Sequence, residues 1–146
     1  MAGLDPWPRR VASLGGVGFL RPGPGSWGSA VVLPLALLPG WVALAACALF
    51  TLAGFWALAR LPEAREDPSW VVVDEAAGMS LALVFAEGLL GAVLAFALFR
   101  AFDIIKPGPV GWADRQHGPF GVMADDLVAG AMAAAILLLL PLLWMG

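Results

Sequence analysis

Apolar residues fall into three long blocks, 29–59, 71–99 and 127–145, and the linkers between them hold nearly all the remaining charge. That block pattern constrains the fold more than any motif does. Of the 146 residues, 61% are hydrophobic and 13% charged, against about half and about a quarter in a soluble domain. A single domain of this length has far more apolar surface than its core could hide, so lipid is the natural solvent for the surplus. The expected class is all-α, a polytopic membrane helical bundle forming one domain. The stretch 1–28 is Gly/Pro-rich and reads as a cytoplasmic loop or amphipathic start, without a cleavable signal peptide.

A plain count of three spans conflicts with the charges. Asp74 and Glu75 open the second block, while Asp103 and Lys106 follow its end. One span would place these groups on opposite sides of the bilayer, with basic residues on both, against the positive-inside bias. Glu87-Gly88 interrupts the block near its middle, where a Glu is expensive at bilayer depth and Gly is a common helix stop. A hairpin follows, with helices at 69–86 and 89–105. Counted from Glu87, Asp74 lies 13 residues before the turn and Asp103 lies 16 after it. At ~1.5 Å per residue both stand roughly 20–24 Å from the turn and return to one face. Pro39-Gly40 divides the first block in the same way, into 29–38 and 41–59, and 127–145 forms the last helix. About five membrane helices are therefore expected, including two short hairpins. Arg9, Arg10, Arg21, Arg60, Arg65, Arg100, Lys106 and Arg115 then share one side, which the positive-inside rule makes the cytoplasm.

That face gathers the residues able to do chemistry. Asp74-Glu75 and Asp125-Asp126 each sit at an expected helix start, where exposed acids commonly offset the helix dipole. The other reading is a hard-cation site, because magnesium takes a few carboxylates together with water and phosphate. Asp103 adds a third acidic position, at a helix end where the dipole disfavours it. Arg100, Asp103 and Lys106 recur every three residues on one helix side. They read either as interfacial snorkelling with an ion pair or as phosphate recognition. In the loop from Pro24 to Ser29, Gly25 and Gly28 would let backbone N–H groups approach an anion, and Ser26 or Ser29 could cap a helix. An ordinary turn with a serine cap is the plainer reading. His117, the only histidine, lies in a Gly/Pro-rich loop and reads as solvated or as a proton-transfer group. Glu87 reads as a turn residue.

Several chemistries are excluded by their ingredients. The lone Cys47 lies in an apolar run, so neither a disulfide nor a thiol phosphatase is available. One histidine cannot serve as both members of a histidine pair, and no Asp-x-Asp motif exists for an aspartyl-phosphate enzyme. With a net charge of −3 and no basic run, nucleic acid is not an expected partner. Metal-assisted attack by water or a carboxylate remains.

The segments GVGFLRPGPGSWGS (16–29), VDEAAGM (73–79), FRAFDIIKPGP (99–109) and HGPFGVMADDLVAG (117–130) resemble four motifs of the phosphatidylglycerophosphatase A family, in that family's order. Val17, Ser26 and Pro119 depart from the usual residues, although Ser26 keeps the hydroxyl of the common Thr. The resemblance implies magnesium-dependent dephosphorylation of phosphatidylglycerol phosphate to phosphatidylglycerol and inorganic phosphate. The setting it implies is the bacterial inner membrane, with the site facing the cytoplasm. Carried over by motif, Asp74, Glu75, Asp103 and Asp126 are the expected catalytic residues. Asp74, Glu75, Asp103, Asp125 and Asp126 are the expected Mg2+ ligands. Arg100, Lys106, Gly25, Ser26, Gly28 and Ser29 are expected to bind the substrate phosphate. Two alternatives stand beside this reading: a phosphatase of another membrane lipid phosphate or diphosphate, and a non-enzymatic membrane assembly or transport subunit. The signature of CDP-alcohol transferases is missing.

Overall fold

The computed structural model describes residues 5–144. Among them the regular structure is all helical. The α-helices are α1 (Trp7–Ala12), α2 (Pro24–Ala30), α3 (Gly40–Leu58), α4 (Val73–Ala82), α5 (Gly88–Ile105), α6 (Gly108–Asp114) and α7 (Gly118–Trp144). Helices suit a bilayer because each satisfies its own backbone donors and acceptors.

Three of them, α3, α5 and α7, are long and apolar enough to cross a membrane. They turn large apolar side chains outward, among them Leu44, Leu49 and Leu52 on α3, Leu89 and Leu90 on α5, and Leu142 and Leu143 on α7. Contiguous exposed apolar surface of this kind is a lipid-facing surface. The centre belongs to α4, which is buried along most of its length and packs mainly on α7 and α3.

Two of the five expected membrane helices are short. The expected helix 69–86 is the ten-residue α4 followed by a 3-10 turn, Leu83–Phe85. At ~1.5 Å per residue, α4 reaches about half of a ~30 Å hydrocarbon layer. In place of 29–38 the chain forms α2, beginning at Pro24, and then a 3-10 turn, Leu33–Leu37. Proline suits a first helical turn, because the N–H it lacks would be unpaired there. Pro34 and Pro39 keep a long helix from forming beyond it. The hairpin turns fall at the expected places: α3 starts at Gly40, and α5 starts at Gly88, whose φ of 65° is left-handed.

The last helix starts well before 127. The run Gly118-Pro119 looks like a loop, yet proline near the helix start is compatible with it, and α7 begins there. Asp125 and Asp126 are therefore about two turns inside α7 rather than at its start. The expected end, Met145, lies outside the described residues. The linker 100–126 also contains the unexpected α6, which begins at Gly108 after Pro107 and has Pro109 in its first turn.

Helices α4 and α7 cross at two glycines. A Cβ on Gly78 would overlap the carbonyl oxygen of Asp126, and one on Gly130 would overlap the carbonyl oxygen of Gly78. Without those methyl groups the two backbones touch, which is how small residues serve packed membrane helices.

Candidate functional site

The same crossing assembles the acids. Asp74 precedes Gly78 by four residues, and Asp126 precedes Gly130 by four. One turn of helix separates each acid from its glycine, so both acids lie on the faces that meet. Asp74, Asp125 and Asp126 are 3%, 3% and 2% exposed. One carboxylate oxygen from each lies within 4.8 Å of the others. The backbone N–H groups of Glu75 and Asp126 donate to Asp74 Oδ1 and Asp125 Oδ1, each at 2.9 Å. Asp126 Oδ1 is enclosed and has no hydrogen-bond partner.

Beside this cluster stands a second group. Arg100 Nη1 donates to Glu75 Oε2 at 3.1 Å and also pairs with Asp103. These contacts bring the start of α4 and the end of α5 together, as the hairpin requires. Glu75 is gripped from its other side by α2. Ser29 Oγ donates to the Gly25 carbonyl at 2.9 Å and lies 3.4 Å from Glu75 Oε2. A Cβ on Gly25 would overlap both Glu75 oxygens. Gly28 packs in the same way on Val72.

Lys106 departs from the expected row. It sits past the end of α5 with φ 55°, in the left-handed region, and Pro107 follows it. A residue before proline is steered away from helical backbone. The side chain consequently leaves the Arg100–Asp103 side, and Nζ lies 3.0 Å from both Asp125 Oδ2 and Asp114 Oδ1. Burial alone would pull this ammonium down. Its bonds to Asp125 and Asp114 outweigh that and hold its pKa above the usual range.

The residues expected at the site thus converge, but in two subgroups. Asp74, Asp125 and Asp126 form the three-acid cluster, whereas Glu75 and Asp103 both serve Arg100. The Gly25 to Ser29 segment lies against Glu75, and its helix is capped by Gly23 with φ 66° rather than by Ser26 or Ser29. Ser26 is half-buried in the first turn of α2. His117 lines a small polar hollow of about 170 Å³ with Glu66, Asp67 and Asp114. Asp67 and Asp114 are additions that sequence reasoning missed. Asp67 keeps solvent access, yet desolvation, followed by the nearby Asp125 carboxylate, pushes its carboxyl up to about 6. Cys47 is buried in α3, and Glu87 is exposed at the hairpin turn.

The three-acid cluster fits a hard divalent cation. Three buried carboxylates repel one another, and Lys106 is the cation paired with one of them. The orphaned oxygen of Asp126 is a free acceptor that a cation could take up.

Residues 10–141 match the family described as Phosphatidylglycerophosphatase A. The chain belongs to the phosphatidylglycerophosphatase A family. A Haemophilus influenzae protein named Phosphatidylglycerophosphatase A is 34% identical over 83% of this chain and 80% of its own length. An Escherichia coli protein of the same name is 39% identical over 49% of this chain and 43% of its own length. A Bacteroides thetaiotaomicron protein, provisionally named a phosphatidylinositol-3-phosphatase, is 43% identical over 62% of this chain. The aligned segment spans 60% of that relative's length. No solved structure is a significant match. Every residue of the two subgroups lies inside the segment that matches the phosphatidylglycerophosphatase A family.

Proposed function

We propose that this chain removes the phosphate monoester from phosphatidylglycerophosphate, leaving phosphatidylglycerol and inorganic phosphate, at the cytoplasmic face of a bacterial inner membrane. The observation that carries this reading is the buried Asp74–Asp125–Asp126 cluster beside Arg100 and Lys106, at the end of a lipid-facing bundle. Membership of the family supports the substrate.

Asp74, Asp125 and Asp126 are the residues that would hold Mg2+. When bound, the cation would supply Lewis-acid stabilisation of charge on phosphate oxygens. The remaining work falls to the chain. Glu75 and Asp103 hold Arg100 through Nη1, which leaves its other N–H donors for phosphate oxygens. Glu75 and Asp103 accordingly act through Arg100, as positioning residues. Gly25 and Ser29 act one step further back, by fixing Glu75. Lys106 holds its proton firmly and contributes fixed positive charge rather than an acid. The substrate's acyl chains stay among the apolar faces of α3, α5 and α7, so its headgroup meets the site at the membrane edge. In the hydrolysis, water oxygen joins phosphorus, the bond from phosphorus to the glycerol oxygen breaks, and one proton of the water ends on the glycerol oxygen while the other stays on the released phosphate.

Phosphate release by purified protein in detergent micelles tests the proposal. The substrates are phosphatidylglycerophosphate, phosphatidylinositol 3-phosphate and a polyprenyl diphosphate, each with magnesium or with a chelator. Release from the first lipid alone, lost on chelation, is expected. Preference for either other lipid, or indifference to the chelator, would overturn the assignment.

A further inference from the structure

Arg100 and Lys106 are both neutralised by carboxylates, whereas several other guanidinium groups are not, and two of these stand side by side. Arg9 and Arg10, adjacent on α1, form no ion pair among the described residues. Aromatic faces hold them instead. Arg9 lies 4.8 Å from the Trp70 ring centre and 5.6 Å from that of Phe19, and Arg10 lies 5.3 Å from that of Trp7. Stacking of this kind fixes the plane of a guanidinium while leaving its N–H edge available.

Both arginines line a hollow of about 260 Å³ with Ser13, Gly15 and Gly16, and no acid lines it. Arg10 and Gly15 also border a second hollow of about 430 Å³, whose wall is almost entirely apolar. Trp7, Leu14, Leu49, Phe50 and Ala53 form that wall, between α1 and the outer face of α3. From Leu58 at the end of α3 to Leu49 is nine residues. At ~1.5 Å each that is about 14 Å, close to the depth of one leaflet's hydrocarbon. The groove's α3 wall, Leu49 to Ala53, therefore lies within the depth of one leaflet, and it adjoins the basic hollow at Arg10 and Gly15.

We infer that α1 and α3 form a binding site for one anionic phospholipid, separate from the acidic cluster, with its phosphate on Arg9 and Arg10 and an acyl chain in the groove. The chemistry selects the ligand class. Two unpaired guanidinium groups favour a headgroup with net negative charge over a zwitterionic one. The apolar groove excludes a free phosphate compound as the full occupant. Simple snorkelling would place the arginines in the headgroup layer without a shaped groove beneath them.

Native mass spectrometry of the detergent-purified chain tests this, with equimolar phosphatidylglycerol and phosphatidylcholine offered together. The expected result is one retained phosphatidylglycerol, preferred roughly tenfold over phosphatidylcholine. Asp126→Asn should keep that preference, since it alters only the acidic cluster. Arg9→Gln with Arg10→Gln should abolish it, and Ala53→Trp should block retention by filling the groove. The double Arg→Lys variant should keep the sign of the preference, which rests on charge, with weaker retention, and an unchanged melting temperature of the double Gln variant serves as the control for folding. All three α1 and α3 variants should still turn over micellar substrate. Equal retention of the two lipids, an unchanged preference in the double Gln variant, or displacement by soluble glycerol phosphate would overturn the site. Loss of turnover together with lipid retention would overturn its separateness.

Discussion

Lys106 Nζ lies 3.0 Å from Asp125 Oδ2, and this contact ties the residue after α5 to the first of the two acids on α7. Asp125 is buried while Lys106 is partly exposed, so the aspartate depends on the lysine more than the reverse. Lys106→Met should therefore lower thermal stability, by about 1–2 kcal/mol. It should also cut kcat/KM by roughly 10–100-fold, on the scale of a lost charged partner beside a metal site. Thermal unfolding in detergent and steady-state phosphate release measure the two effects.

Asp126→Asn should move stability and function in opposite directions. Removing one of three crowded acids relieves repulsion, so the metal-free protein should melt at a higher temperature. Binding of Mn2+, followed by electron paramagnetic resonance as a stand-in for Mg2+, should fall at least about tenfold. Unchanged Mn2+ binding would remove Asp126 from the set of ligands.

Gly25→Ala distinguishes a positioning role from ligation. A methyl there must displace the Glu75 carboxylate, and with it Arg100. The expected outcome is a raised KM for the lipid, by about tenfold or ~1.4 kcal/mol, with Mn2+ binding intact. Ser29→Ala should give a smaller change in the same direction, because its contact with Glu75 is long. A loss of Mn2+ binding in either variant would place Glu75 among the ligands instead.

The pH dependence of Asp67 has a definite sign. In the folded chain its carboxyl is pushed up to about 6, from an ordinary aspartate value of about 4. Between those values the folded state holds a proton that the unfolded state has released. The group's stabilising contribution is therefore full below about 4 and is lost as pH rises through about 6. Asp67→Asn should flatten this part of the stability profile and raise the melting temperature at pH 7.5 relative to the parent, both measured without metal.

Gly130→Ala should be among the most destabilising single methyl additions, because the new Cβ meets the backbone of α4 rather than a side chain that could move. A loss of about 1–3 kcal/mol is expected from overpacking. Thermal unfolding of the variant beside Gly91→Ala, whose nearest neighbour stands 3.1 Å away, gives the comparison.

Strong local punctuation was readable from the chain alone. Pro39-Gly40 and Glu87-Gly88 mark the starts of α3 and α5 to within a residue, since each holds a helix breaker and the second adds a charge. The convergence of Asp74 and Glu75 with Arg100 and Asp103 follows from the second of these turns. The start of α7 was not readable, because Gly118, Pro119 and Gly121 look like a loop unless the proline's place in the first turn is known. Three-residue spacing alone puts Lys106 on the Arg100 row, but it stands just past the helix end at 105, where Pro107 turns the backbone away. Asp67 and Asp114 carried no local signal. Their importance comes from Lys106 and Asp125, which only the folded chain brings near.

The contact between Gly78 and Gly130 has a consequence for what the acids above it can tolerate. The gap between Asp74 and Asp126 is inherited from two positions with no side chain at all, and neither position has any reactive chemistry. The helices therefore act as a gauge whose setting is the absence of two methyl groups. Any change that thickens the joint must widen the jaws one turn away, so the size of any cation they would grip is set by residues that would never touch it.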